Sequence, residues 1–140
     1  MLIDECAVCS LEFGPGRTQA QVEVVRVYED LGRCPGEYRV LVDRLWPRGL
    51  TKTSIDLDEW LRDVAPSTEL RRWYGHDQGR FTEFVRRYQA ELNGEPGASA
   101  VSKLRKLAAG RRLVLLTATR DIQHSSAVVL QQAVAERGVS

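Results

Sequence analysis

The chain has 140 residues, of which 43% are hydrophobic, 28% charged and 7% aromatic, with a formal charge of +1 from 20 basic and 19 acidic side chains. A chain of this length forms one domain and buries roughly 68–70% of its unfolded surface, so it needs neither disulfide nor metal staple. The near-neutral total excludes a strongly basic nucleic-acid coat protein and an acidic disordered chain.

Residues 1–20 read as an N-terminal extension and residues 21–140 as a single α/β domain. Val22 to Tyr28 is dominated by β-branched residues and predicts a strand. Glu29 to Glu37, with Gly32, Pro35 and Gly36, reads as a loop. Tyr38 to Val42 predicts a second strand, which stops at Asp43-Arg44-Leu45-Trp46-Pro47-Arg48-Gly49. Leu57, Trp60, Leu61 and Val64 fall at i, i+3, i+4 and i+7 and predict a helix ended by Pro66. Ser67 is a good N-cap for a short helix carrying Leu70, Trp73 and Tyr74, closed by Gly75. Arg80 to Leu92 predicts a helix with Phe81, Phe84, Val85, Tyr88 and Leu92 on its apolar stripe. Another holds Val101, Leu104, Leu107 and Ala108 and ends at Gly110. Leu113 to Leu116 is an unbroken apolar run, typical of a strand covered on both faces. A polar turn, Thr117 to Asp121, leads into a last helix from about Ile122 to Glu136.

This order is an α/β plan: a small, mostly parallel or mixed sheet of about three to four strands with helices packed on it, Rossmann-like. The stretch from Val42 to Leu113 is ample for a parallel crossover. The loop Glu29 to Glu37 is short for one. That leaves two arrangements for the first strand: antiparallel to the second, or parallel and not adjacent to it.

Parallel pairing would bring two polar clusters to one edge. Asp43, Arg44 and Arg48 follow one predicted strand; Thr117, Thr119, Arg120, Asp121 and His124 follow another. In open α/β sheets, ligands bind outside the carboxyl ends of the strands. Asp43 suits either catalysis or an ion pair with Arg44 or Arg120. Arg48, on a constrained W-P-R-G turn, suits anion binding or carbonyl capping. Asp121 suits catalysis or N-capping of the last helix. His124, in the first turn of that helix, is expected neutral and available as a base. His76 and Asp77 lie between two helices; Asp77 could cap the next helix and His76 could join the crevice. Trp60 and Trp73 lie on apolar stripes and read as core, whereas Trp46 sits in the polar turn and reads as pocket lining.

Of the basic residues, 17 are arginine and 3 lysine. Arginine favours bidentate carboxylate and phosphate contacts, and genomic codon bias is the plainer source of the excess. Arg72, Arg86, Arg87, Arg111 and Arg112 read as surface examples, and Arg44, Arg48 and Arg120 are set apart by position. Residues 1–37 carry a net −4 and residues 38–140 a net +5. The latter could face the former or an anionic ligand.

No stretch has the 18 or more apolar residues of a membrane span, and the N-terminus lacks a signal-peptide pattern. Three cysteines (Cys6, Cys9 and Cys34) are an odd number for a disulfide framework. The expected location is the cytoplasm. Cys6 and Cys9 form a C-x-x-C with no second pair to complete a zinc site, and read as incidental thiols. No recognised ligand spacing supports a metal site at His76, His124, Asp43 and Asp121. Phosphate-loop, dinucleotide, zincin and serine-elbow motifs do not occur in the sequence, and no cofactor is assigned.

The strings YRVLVDRLWPRGLTK, DEWLRDVAPSTELRRWYGHD, F-x-x-F-x-x-R-Y-x-x-E-L and LLTATRDIQHSSAVVL, in that order, resemble the YeaO-like proteins, the short branch of domain-of-unknown-function family 488. The resemblance runs from Val24 to Val134. It implies a compact bacterial α/β protein with no agreed activity. It also implies recurrent polar positions at Asp43, Arg44, Arg48, Ser67, Arg71, His76, Asp77, Asp121 and His124. The family's tyrosine, lysine and asparagine positions hold Thr117, Arg120 and Ser125 here. Ser125 and Ser126 stand where longer relatives carry cysteine and histidine.

The expectation is therefore an enzyme-like pocket for a small anionic or phosphate-bearing ligand, with a nucleotide or nucleic acid among the candidates. Arg44, Arg48 and Arg120 would bind the anion, with Trp46 beside them. Asp43 or Asp121 would orient His124, and His124 or His76 would act as base. The alternative is a non-catalytic binding module whose polar cluster is a structural network. Membrane partners are not expected, and oligomeric state is left open.

Overall fold

A computed structural model describes residues 22–30 and 32–135. The predicted extension over residues 1–20 and the Cys6–Cys9 pair lie outside them. Cys34 is buried and disulfide-bonded, so the cysteines are not all thiols.

Four strands form one parallel sheet in the order β1-β4-β2-β3: β1 Val22–Arg26, β2 Glu37–Leu41, β3 Glu59–Trp60 and β4 Arg112–Thr117. The fold is α/β. The first strand is parallel to the second, with β4 between them. Among the described residues of 27–36, which make the return, the one helical piece is a short 3-10 turn, Val27–Glu29. Ten extended residues reach at most about 33–36 Å, against about 17 Å for a five-residue strand. No helix is needed for the crossing.

β4 is central and its apolar run is buried on both faces. Alternation divides the sheet residues between two cores. Val40, Val42, Leu113 and Leu115 face the helices α1 Thr68–Tyr74, α2 Phe81–Asn93, α3 Gly97–Gly110 and α4 Ser126–Ala135. There Phe84, Tyr88, Leu104 and Leu130 complete the packing. Leu41, Val114 and Leu116 face the other way, onto Val27, Ile55, Trp46, Leu57 and Trp60, which come from segments outside the α-helices. Beneath that covering Arg39 is 2% exposed and pairs with Glu37 at 2.7 Å and with Asp30. Arg33 holds the same covering from outside, through Asp56 at 2.7 Å and Asp58 at 3.0 Å.

The predicted helix over Leu57–Val64 is replaced by β3 and a 3-10 turn at Arg62–Val64. The segment hydrogen-bonds to β2 instead, Asp58 N–H to the Arg39 carbonyl at 2.7 Å and Leu61 N–H to the Leu41 carbonyl at 2.9 Å. Its apolar residues do not share one face: Leu57 and Trp60 join the second core, Leu61 and Val64 the first. The last predicted helix is also broken. A 3-10 turn, Ile122–His124, precedes α4, and Ser125 separates the two.

Candidate functional site

Parallel pairing sets Leu41 beside Leu116, and Val42 N–H continues the ladder to the Leu116 carbonyl at 3.1 Å. The segments leaving β2 and β4 therefore emerge side by side. Helix α1 and the turn after it close a third wall. The result is a cleft of about 370 Å³ at the carboxyl edge of the sheet. Asp43, Arg44, Trp46, Arg48, His76 and His124 all line it. Arg120 and Asp121 do not: both are exposed beside it.

Asp43 sits between the two strand ends. Its Oδ1 accepts from Thr117 Oγ1 and its Oδ2 from Ala118 N–H, both at 2.7 Å. No ion pair with Arg44 or Arg120 forms among the described residues. Burial pushes the Asp43 carboxyl above its ordinary range, against the opposing pull of these two hydrogen bonds and of the Arg71 charge. Trp60 Nε1 donates to the Asp43 carbonyl at 2.7 Å, which fixes the backbone at the strand exit.

Arg44 is pinned by backbone: Nε donates to the Pro66 carbonyl at 3.1 Å and Nη2 to the Ala65 carbonyl at 3.3 Å. Arg48 is exposed at the cleft mouth, and its carbonyl accepts from Tyr28 Oη at 2.7 Å. Trp46 packs edge-on against Trp60 at 5.3 Å and donates to the Leu50 carbonyl at 2.6 Å.

Helix α1 forms as predicted. Ser67 caps it by accepting from Leu70 N–H at 3.1 Å, and Gly75 ends it at φ 53°. His76 follows, also left-handed at φ 58°. Two consecutive left-handed residues turn the chain sharply and set His76 at the cleft. Asp77 caps the 3-10 turn Gln78–Arg80, accepting from Gly79 N–H at 2.9 Å.

Asp121 is not the N-cap of the last helix. Its Oδ2 accepts from Gln78 Nε2 at 2.7 Å and lies 2.9 Å from His124 Nδ1. The Gln78 amide and then the imidazole hold this carboxyl below its ordinary range. A proton on Nδ1 leaves Nε2 of His124 as an acceptor. Tyr74 Oη fixes the His124 carbonyl at 2.7 Å, and Phe81 packs edge-on to the ring at 5.1 Å. Ser125 caps α4: its Oγ donates to the Ile122 carbonyl at 2.6 Å and accepts from Val128 N–H at 3.4 Å.

Arg71 and Arg72 of α1 also line the cleft. The reading of residue types missed both, and Arg72 was expected on the plain surface. For Arg71 the available signal was the string P-S-x-E-L-R. Its Nε is buried with no hydrogen-bond partner among the described residues. Among the described residues, none of the four cleft arginines (Arg44, Arg48, Arg71 and Arg72) pairs with a carboxylate. Outside the cleft, again among the described residues, Arg26, Arg33, Arg39, Arg80, Arg86 and Arg87 form such pairs, whereas Arg62, Arg105, Arg111 and Arg120 do not, so what sets the four apart is that they gather at one concavity. Among the described residues, no group of three or more His, Cys, Asp or Glu is arranged to hold a metal ion.

The sequence model of the family described as "Inactive DUF488-N3 subclade" matches residues 21–138. The chain belongs to the YeaO-like DUF488 family. It is 46% identical over 114 residues to the uncharacterized protein Rv3073c of Mycobacterium tuberculosis, covering 81% of this chain and 93% of that one. It is 37% identical over 109 residues to the uncharacterized protein YeaO of Escherichia coli, covering 78% of this chain and 92% of that one. No solved structure matches. Two positions where this DUF488 chain departs from the pattern quoted above have structural tasks here: Thr117 supports Asp43, and Ser125 caps α4.

Proposed function

We propose that the cleft binds a small anion bearing a phosphate or carboxylate, and that this DUF488 protein acts as a binding module rather than a catalyst. The gathering of four arginines without carboxylate partners, Arg44, Arg48, Arg71 and Arg72, around one cleft carries the reading. Guanidinium groups without a carboxylate of their own are free to form charge-assisted bonds with an anionic ligand. The groups available for chemistry argue against turnover. The Asp43 carboxylate is held by two donors, the Thr117 and Ser125 hydroxyls are engaged, and the matching subclade is described as inactive.

A catalytic reading has one observation in its favour, the 2.9 Å pair of Asp121 with His124 at the cleft wall. Titration calorimetry with phosphate, small dicarboxylates and mononucleotides separates the two. Charge-assisted hydrogen bonds contribute about 1.5–3 kcal/mol, so Arg71→Met should weaken binding roughly 10- to 100-fold while His124→Ala leaves it unchanged. No binding by any anion overturns the proposal, and His124-dependent turnover of a bound ligand overturns its binding-only part. A nucleic-acid ligand would show a steep loss of affinity with salt.

A further inference from the structure

The walls of the cleft are not uniformly polar. Among the described residues, the exposed large hydrophobic side chains are Tyr28, 43% exposed, and Leu45, 63% exposed, and both line this one cleft. They come from different segments, one after β1 and one after β2, so their meeting is a product of the sheet order rather than of local sequence. Trp46 lies beside Leu45. The polar atoms of both aromatic side chains are already committed to backbone carbonyls, Tyr28 Oη to Arg48 and Trp46 Nε1 to Leu50. What these side chains have left to offer a ligand is apolar surface. Solvent-exposed apolar groups gathered at a polar-rimmed concavity mark a binding surface.

Size points the same way. A water molecule occupies about 30 Å³, so a bare phosphate or carboxylate would leave most of the 370 Å³ unfilled. The volume lies at the small end of the range for ligand sites, roughly 300–1,000 Å³.

We infer that the anion is carried on a flat apolar body, the chemical class of aryl phosphates and mononucleotides. Arg44 and Arg71 receive the charged group, and Tyr28, Leu45 and Trp46 cover the flat one. This rests on the anion-binding reading above and adds the nature of the ligand's other half.

The test is calorimetric titration of the full chain with inorganic phosphate, glycerol phosphate, phenyl phosphate and a nucleoside monophosphate. At least one ring-bearing phosphate should bind ten times or more tighter than glycerol phosphate, which has similar charge and no ring. Leu45→Ser, at an exposed position, should lower the affinity for the ring-bearing phosphate at least threefold and leave that for inorganic phosphate unchanged. Arg71→Met should weaken all of them together. If ring-bearing phosphates bind no tighter than glycerol phosphate, or Leu45→Ser changes nothing, the inference is overturned while the anion site stands. If no phosphate binds at all, the anion-binding reading itself falls, and this inference with it.

Discussion

Asp43 is the residue on which the cleft is built. One carboxylate joins the exits of two parallel strands, accepting hydrogen bonds from the Thr117 hydroxyl and the Ala118 backbone N–H. Removing it leaves both donors without their acceptor. Asp43→Ala should cost about 1–3 kcal/mol of stability at pH 7 by urea unfolding. The pH dependence has a definite sign. Burial raises the folded-state pKa of Asp43 above its unfolded value. The proton-linked part of its contribution is then fullest below the unfolded pKa and is lost as pH rises through the folded one, which leaves the hydrogen bonds to Thr117 and Ala118 as what Asp43 supplies at pH 7. The gap between the parent and Asp43→Ala should therefore widen as the pH is lowered from 7. At this scale much of the cleft was legible in the sequence, because a charge directly after a buried strand has few places to go. Asp43, Arg44, Trp46, Arg48 and His124 leave the two strands and line it, whereas Arg120 and Asp121 do not; His76 also lines it, though spacing alone left its place open. Arg71 was not legible from residue type, because a helical arginine gives no sign of whether a carboxylate will meet it.

At the scale of elements, the cap signals at Ser67 and Gly75 held and the one at Asp121 did not. Ser67 starts α1, and it does more than cap. Its hydroxyl donates to Glu91 Oε2 at 2.6 Å and its N–H to Oε1 at 2.9 Å, tying the start of α1 to the end of α2. Ser67→Ala removes the cap and the hydroxyl's bond to Glu91. It should lower stability by about 1–2 kcal/mol, within the range for N-cap loss, as a shift in the urea midpoint with the slope unchanged. Apolar spacing was a weaker signal. Leu57, Trp60, Leu61 and Val64 have helical spacing, yet the segment is strand and 3-10 turn. The edge of β2 offered hydrogen bonds and the two cores offered separate places for the side chains. Tertiary pairing outweighed a short local periodicity.

Among the described residues, the sheet has one face covered by α-helices and one covered by segments outside them, held by arginine–carboxylate contacts. The Arg33 side chain bonds Asp56 and Asp58. That hydrogen bonding is the main cause lowering the Asp56 pKa. For Asp58, burial pulls upward but the bonds from Arg33 and Arg39 N–H prevail and hold it low. A depressed folded pKa gives stability that is present above the unfolded value, about 3.9 for aspartate, and is lost as pH falls through the folded one. Arg33→Ala should cost about 1 kcal/mol at pH 7, since the pairs are partly exposed. Thermal melts should show the difference between parent and variant shrinking below about pH 4.

The sequence by itself determined the α/β class, the capped helix α1, the strand buried on both faces and the family. Each of these follows from short-range rules of periodicity, capping and turn chemistry, or from strings kept in order along the chain. Only the tertiary structure decided that β4 lies between β1 and β2, that 57–64 is not a helix, and that Asp121 serves His124 instead of capping α4. It alone brought Tyr28 and Leu45 to the same cleft as Arg71. These facts depend on which groups meet across long sequence separations, and on which buried donors and charges are left without a partner. Spacing along the chain carries no record of either.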